Sequence, residues 1–109
     1  MKLPFSQLGG AVIGTTSNWG SRVSSPFTRI TVLDGCIQLD VSFLFFSRRY
    51  TFPFTHVSRL SSRSFLFCHR LCIEHTIEDY PALVYFFTLR LMDLSAALEQ
   101  CGLHIEDSQ

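Results

Sequence analysis

The chain has 109 residues, which fits one domain. Nine basic residues balance nine acidic ones, and the zero net charge lacks the positive excess that nucleic-acid binding expects. Eleven phenylalanines in a 47% hydrophobic composition exclude disorder and favour strands around a dense core.

Residues 1–26 read as an N-terminal strand and loop segment of the same domain. Ala11, Val12 and Ile13 suit a short strand, and residues 14–26, rich in Gly, Ser and Thr and closed by Pro26, suit a loop. The apolar patch from Leu8 to Ile13, preceded by Pro4, Ser6 and Gln7, is short for a signal-peptide core of ~7–15 apolar residues. No run approaches the roughly 20 apolar residues of a membrane helix. The expected compartment is therefore the cytoplasm.

The stretch from Thr28 to Val41 carries the clearest local signal. Asp34-Gly35 is a dipeptide favoured in two-residue type I′ hairpins, where both positions need positive φ. Folding there sets Leu33 against Cys36, Val32 against Ile37, Thr31 against Gln38, Ile30 against Leu39 and Arg29 against Asp40. Alternation then puts Ile30, Val32, Ile37 and Leu39 on one face. The Arg29–Asp40 pair is charge-complementary. Further strands follow at Tyr50 to Phe54, with Pro53 marking an edge or bend, and at His56 to Leu60, with Val57 and Arg59 on opposite sides. Leu71 to His75 places Leu71 and Ile73 inward and Cys72 and Glu74 outward. A polar turn spans Glu78-Asp79-Tyr80-Pro81, and Leu83 to Leu89 is the next strand. The period then changes: Leu91, Leu94, Leu98 and Cys101 recur at helical spacing, with Gly102 as the stop. The helix is expected over 90–101, covering the core of a domain that runs from 27 to 109.

The order of these elements, with particular residues, resembles the bacterial pleckstrin-homology-like (PH-like) domain family. The residues are Arg29-Ile30-Thr31 before the Asp-Gly turn, Phe46-Ser47-Arg48-Arg49, Phe52-Pro53 followed by Val57 and Leu60, Ser64-Phe65-Leu66-Phe67 before Leu71-Cys72-Ile73, and Asp93-Leu94-Ser95-Ala96-Ala97-Leu98. The resemblance implies a mainly β fold with one C-terminal helix: a small barrel of two packed antiparallel sheets with six or seven strands. Cys68, His69 and Arg70 stand where similar domains often carry Gly. Lipid-binding members of the wider superfamily use a long basic first hairpin loop, whereas Asp34-Gly35 is short and acidic.

Cys68, His69, Cys72 and His75 invite a zinc reading, but no Cys-x-x-Cys pair is present and strand geometry separates Cys72 from His75. Cys and His could also pair as nucleophile and base, yet no oxyanion loop or third orienting group stands out. Inert free thiols are the preferred reading for all four cysteines, Cys36, Cys68, Cys72 and Cys101. No cofactor or metal is expected, and a Cys/His metal protein or enzyme is a distant alternative. The arginines Arg48, Arg49, Arg59, Arg63 and Arg70 gather in mid-chain, and Arg48, Arg49 and Arg63 are the candidates for an anion or lipid-headgroup site. Against this stands a solvated turn that guards an edge strand.

Phe43-Leu44-Phe45-Phe46 puts large side chains on both faces of a strand, so either the domain covers both or one face meets a partner. Strict alternation sends Phe43 and Phe45 inward and leaves Leu44 and Phe46 for the partner. The leading expectation is a non-enzymatic binding or scaffolding module that contacts a protein or a second copy of itself. A membrane surface is less favoured.

Overall fold

The computed structural model describes residues 3–14, 22–42, 47–65 and 67–107, with the side chains of 22–26 and 107 left aside. Strands β1 (Phe5–Gly14), β2 (Arg22–Leu33), β3 (Cys36–Ser42) and β4 (Ser47–Pro53) lead through a short 3-10 turn, Phe54–His56, to β5 (Val57–Ser64). Then come β6 (His69–His75), β7 (Leu83–Thr88), the helix α1 (Leu91–Gln100) and β8 (Ile105–Asp107). The expected content, mainly β with one C-terminal helix, is what the chain adopts.

The expectation of two sheets and six or seven strands is corrected. Among the described residues all eight strands form one open sheet, in the order β4-β3-β2-β1-β7-β6-β5-β8. The cause is β1. It runs ten residues and pairs antiparallel with both β2 and β7, joining two meanders that would otherwise be separate sheets. The segment read as loop is correspondingly shorter, since β2 already begins at Arg22. Gly9 makes the junction: a Cβ there would lie 2.2 Å from the Phe87 carbonyl oxygen and 2.7 Å from the Phe86 ring. β8 was also not foreseen. It adds to β5 in parallel, Leu60 opposite Ile105.

One core serves the whole sheet. Ile30, Val32, Ile37, Leu39, Phe52, Leu71, Ile73 and Phe86 are fully buried together with Leu94, Ala97 and Leu98 of α1. The sheet curls enough for Phe52 of edge strand β4 to meet His75 of β6, ring centroids 5.0 Å apart. Bulges in β1 at Gly9/Ala11 and in β5 at Val57/Arg59 sharpen the curl. The β5 bulge also puts Val57 opposite His75 and Arg59 opposite Glu74, so the two fall on different faces, as expected. Leu71 and Ile73 lie inward and Glu74 is exposed.

The β2–β3 register is the one expected, pair for pair from Leu33–Cys36 to Arg29–Asp40. Two details differ. Only Gly35 has positive φ (107°) and Asp34 does not, so the two-residue turn is not type I′. Asp40 forms its ion pair with Arg49 of β4, at 2.6 Å, instead of Arg29. The helix closes as foreseen: Gly102 takes φ 86°, its N–H donates to Glu99 O, and Leu103 N–H donates to Leu98 O. No helix among the described residues is long and apolar enough to cross a membrane.

Candidate functional site

The outer face of β5, β6 and β7 carries the most distinctive group of side chains. Arg63 and Arg70 stand directly opposite each other across the β5–β6 hairpin. Like charges so placed oppose folding unless something offsets them. Aromatic rings do so here. The Arg70 guanidinium lies 4.3 Å from the Tyr85 ring centroid and 5.5 Å from that of Phe65, and Arg63 lies 5.7 Å from Phe65. A guanidinium stacked by its face keeps its in-plane N–H fork free for an oxyanion. Arg70 Nε is buried and has no hydrogen-bond partner. Among the described residues no carboxylate pairs with either arginine; Glu74 is 3.9 Å from Arg59, which also bonds Glu106 at 2.5 Å.

The sequence-level anion set does not assemble. Arg48 and Arg49 lie on β4 and Arg63 on β5, with five strands between them in the sheet. Arg49 is occupied by Asp40, whose hydrogen bond and charge push the guanidinium pKa up. Arg48 sits over the Tyr50 ring at 5.2 Å, in register with core residue Val41. Arg63 stands instead opposite Arg70. The signal for that pair was present: Arg63 and Arg70 flank the Ser64–His69 hairpin end symmetrically.

A second feature lies at one end of the sheet. Leu8 (69%), Phe27 (74%) and Leu89 (75%) are large apolar side chains left in solvent. Two adjoining grooves run along this region. One, of about 540 Å³, is lined by Leu8, Gly9, Phe27, Thr28, Arg29, Asp40 and Ser42. The other, of about 360 Å³, shares Leu8 and Gly9 and reaches Phe87, Leu89 and Cys68. Gln7 braces the floor: its Oε1 accepts from the Thr88 hydroxyl at 2.5 Å and its Nε2 donates to Arg90 O at 2.9 Å. The expected contact residues Leu44 and Phe46 belong to 43–46, outside the described residues. The second apolar run resolves by alternation: Val84 and Phe86 are buried, while Leu83, Tyr85 and Phe87 are half-buried on the outer face.

The Cys/His group is dispersed. All four cysteines are free thiols. Cys72 faces outward, and its thiol pKa is raised by burial first and by Glu74 second. His75 faces inward, where its Nε2 bonds Pro81 O at 2.7 Å and its Nδ1 accepts from Ile77 N–H at 3.1 Å. Those two bonds require the neutral Nε2–H tautomer. His69 bonds the Ser64 hydroxyl at 2.9 Å. Among the described residues no group of three or more His, Cys, Asp or Glu is placed to hold a metal ion. No family model matches the chain, and no curated protein matches it.

Proposed function

We propose that the protein is a non-enzymatic binding module that works by contact with another protein chain, in the first place a second copy of itself. The observation that carries this reading is the cluster of exposed apolar side chains, Leu8, Phe27 and Leu89, around two adjoining grooves. Large exposed apolar patches mark interaction sites on small domains. A net charge of zero adds little repulsion between copies. Kinship with PH-like domains belongs to the same reading: strand meanders ending in one covering helix support it, and the single continuous sheet departs from it. A cytoplasmic site of action fits four free thiols.

The test is sedimentation over 1–200 µM (a range of about two decades spanning ordinary micromolar affinities). The wild type is expected to associate, and the Leu8→Glu/Leu89→Glu variant to stay folded and sediment as a monomer. Leu44→Glu/Phe46→Glu tests the contact expected from the sequence in the same way. A wild type that is monomeric throughout refutes self-association.

A further inference from the structure

We infer that Arg63 and Arg70 together bind a phosphate group on the outer face of the β5–β6 hairpin. This site adjoins the second groove, whose Phe87 stands opposite Arg70, but it does not depend on self-association.

Four observations converge. The two arginines are a cross-strand pair, so their side chains leave the sheet side by side on one face. Both guanidinium groups are held against the Phe65 ring, and Arg70 is held against Tyr85 as well. Ring contacts of this kind restrict the long side chains before a ligand arrives, which lowers the ordering cost of binding. Arg70 Nε is buried and has gained no acceptor, so nothing within the domain compensates this guanidinium through that donor. The neighbouring charges do not neutralise the pair: Glu74 and Glu106 both lie against Arg59, and burial keeps the Cys72 thiol protonated.

A phosphate fits better than a carboxylate. Two cations on adjacent strands are matched by one dianion. Its tetrahedral oxygens can face both forks at once, whereas one planar carboxylate fills a single fork. The exposed Phe65 and Phe67 at the hairpin end allow two sources for that phosphate, a free phosphate ester or a phospholipid headgroup.

The experiment follows the Arg Nε–H resonances by NMR while inorganic phosphate is added at constant ionic strength. Two resonances, assigned by Arg63→Gln and Arg70→Gln, should shift and saturate. Each variant should weaken binding about tenfold, the loss of one charge-assisted contact. Arg70→Lys should weaken it too, because the charge stays and the fork is lost. Arg49→Gln, which removes an arginine already paired with Asp40, should leave it unchanged. Circular dichroism confirms that each variant is folded, and exposed Arg63 supplies the test if Arg70→Gln does not fold. Co-sedimentation with phosphatidylcholine vesicles, with and without phosphatidic acid, separates the sources; enrichment on the acidic vesicles that Arg63→Gln abolishes identifies the headgroup. Chloride shifts equal to those of phosphate, or unchanged phosphate binding in both Gln variants, overturns the assignment.

Discussion

Gly9→Ala tests the strand arrangement at its junction. In an ordinary strand this change would stabilise by about 0.5–1 kcal/mol, because Ala loses less backbone entropy. Here the new methyl would stand 2.2 Å from a main-chain carbonyl oxygen, where ordinary contact starts at 3.4 Å. The Phe87 carbonyl belongs to β7, so it can retreat only by parting β1 from β7, and roughly 1 Å of movement would be needed against a strand spacing of ~4.8 Å. The Phe86 ring, 2.7 Å away, is fully buried and has no room to swing aside. Overpacking of this kind costs about 1–3 kcal/mol, and the hydrogen bonds between β1 and β7 add to it. The expected result is a net loss of about 2 kcal/mol or more in urea unfolding followed by far-UV circular dichroism, which is a fall of roughly 8 °C or more in Tm. Hydrogen exchange should accelerate first between Gly10–Gly14 and Leu83–Phe87, the paired residues of that junction. A variant as stable as the wild type would show that β1 does not bridge the two meanders this closely, and the single-sheet description would fall with it.

Two other substitutions or treatments probe buried chemistry. The Thr28 hydroxyl is buried (1% exposed) and lacks a hydrogen-bond partner, so isosteric Thr28→Val should raise stability by about 1 kcal/mol; a loss in urea titration would reveal an acceptor for that hydroxyl. The raised pKa of Cys72 means less thiolate at any given pH, so iodoacetamide at pH 8 (an alkylation condition near the ordinary thiol range of ~8.5) should modify it more slowly in the native chain than in urea. Equal rates by peptide mass spectrometry would refute the burial argument.

The parts of the fold legible in the sequence are those where two signals coincide. Asp34-Gly35 is a turn dipeptide, and the apolar residues on either side of it alternate in phase, so the β2–β3 register could be counted off and is the one observed. The helix combined a 3.6-residue period with a stopping glycine, and Gly102 does hold the positive φ that ends it. β1 offered only conflicting signals. Gly9, Gly10 and Gly14 weaken strand propensity, yet the strand exists because two neighbours hydrogen-bond it, and Gly9 is present because those neighbours come too close for a side chain. Its effect was global: one strand of unexpected length turned two sheets into one. β8 is three residues long and finds a parallel partner more than forty positions away, Leu60 against Ile105, which no local pattern encodes.

The candidate site shows the same rule acting on charges. Grouping arginines by nearness along the chain put Arg48, Arg49 and Arg63 together, but a sheet sets neighbours by register. Asp40 lies on β3 between β2 and β4, so it is opposite Arg29 on one side and Arg49 on the other. It pairs with Arg49, and that removes Arg49 from any anion site. Arg63 is instead answered by Arg70, because the hairpin end at Ser64–His69 folds the chain back between them. Rings from Phe65, near the hairpin end, and Tyr85, on the next strand, then make a like-charged pair tolerable. Rings offset this repulsion only in part, since a cation over an aromatic face is worth about 0.5–2 kcal/mol and leaves the positive charge in place. The uncompensated charge of this pair is what the proposed phosphate contact rests on, and the zero net charge of the whole chain conceals it.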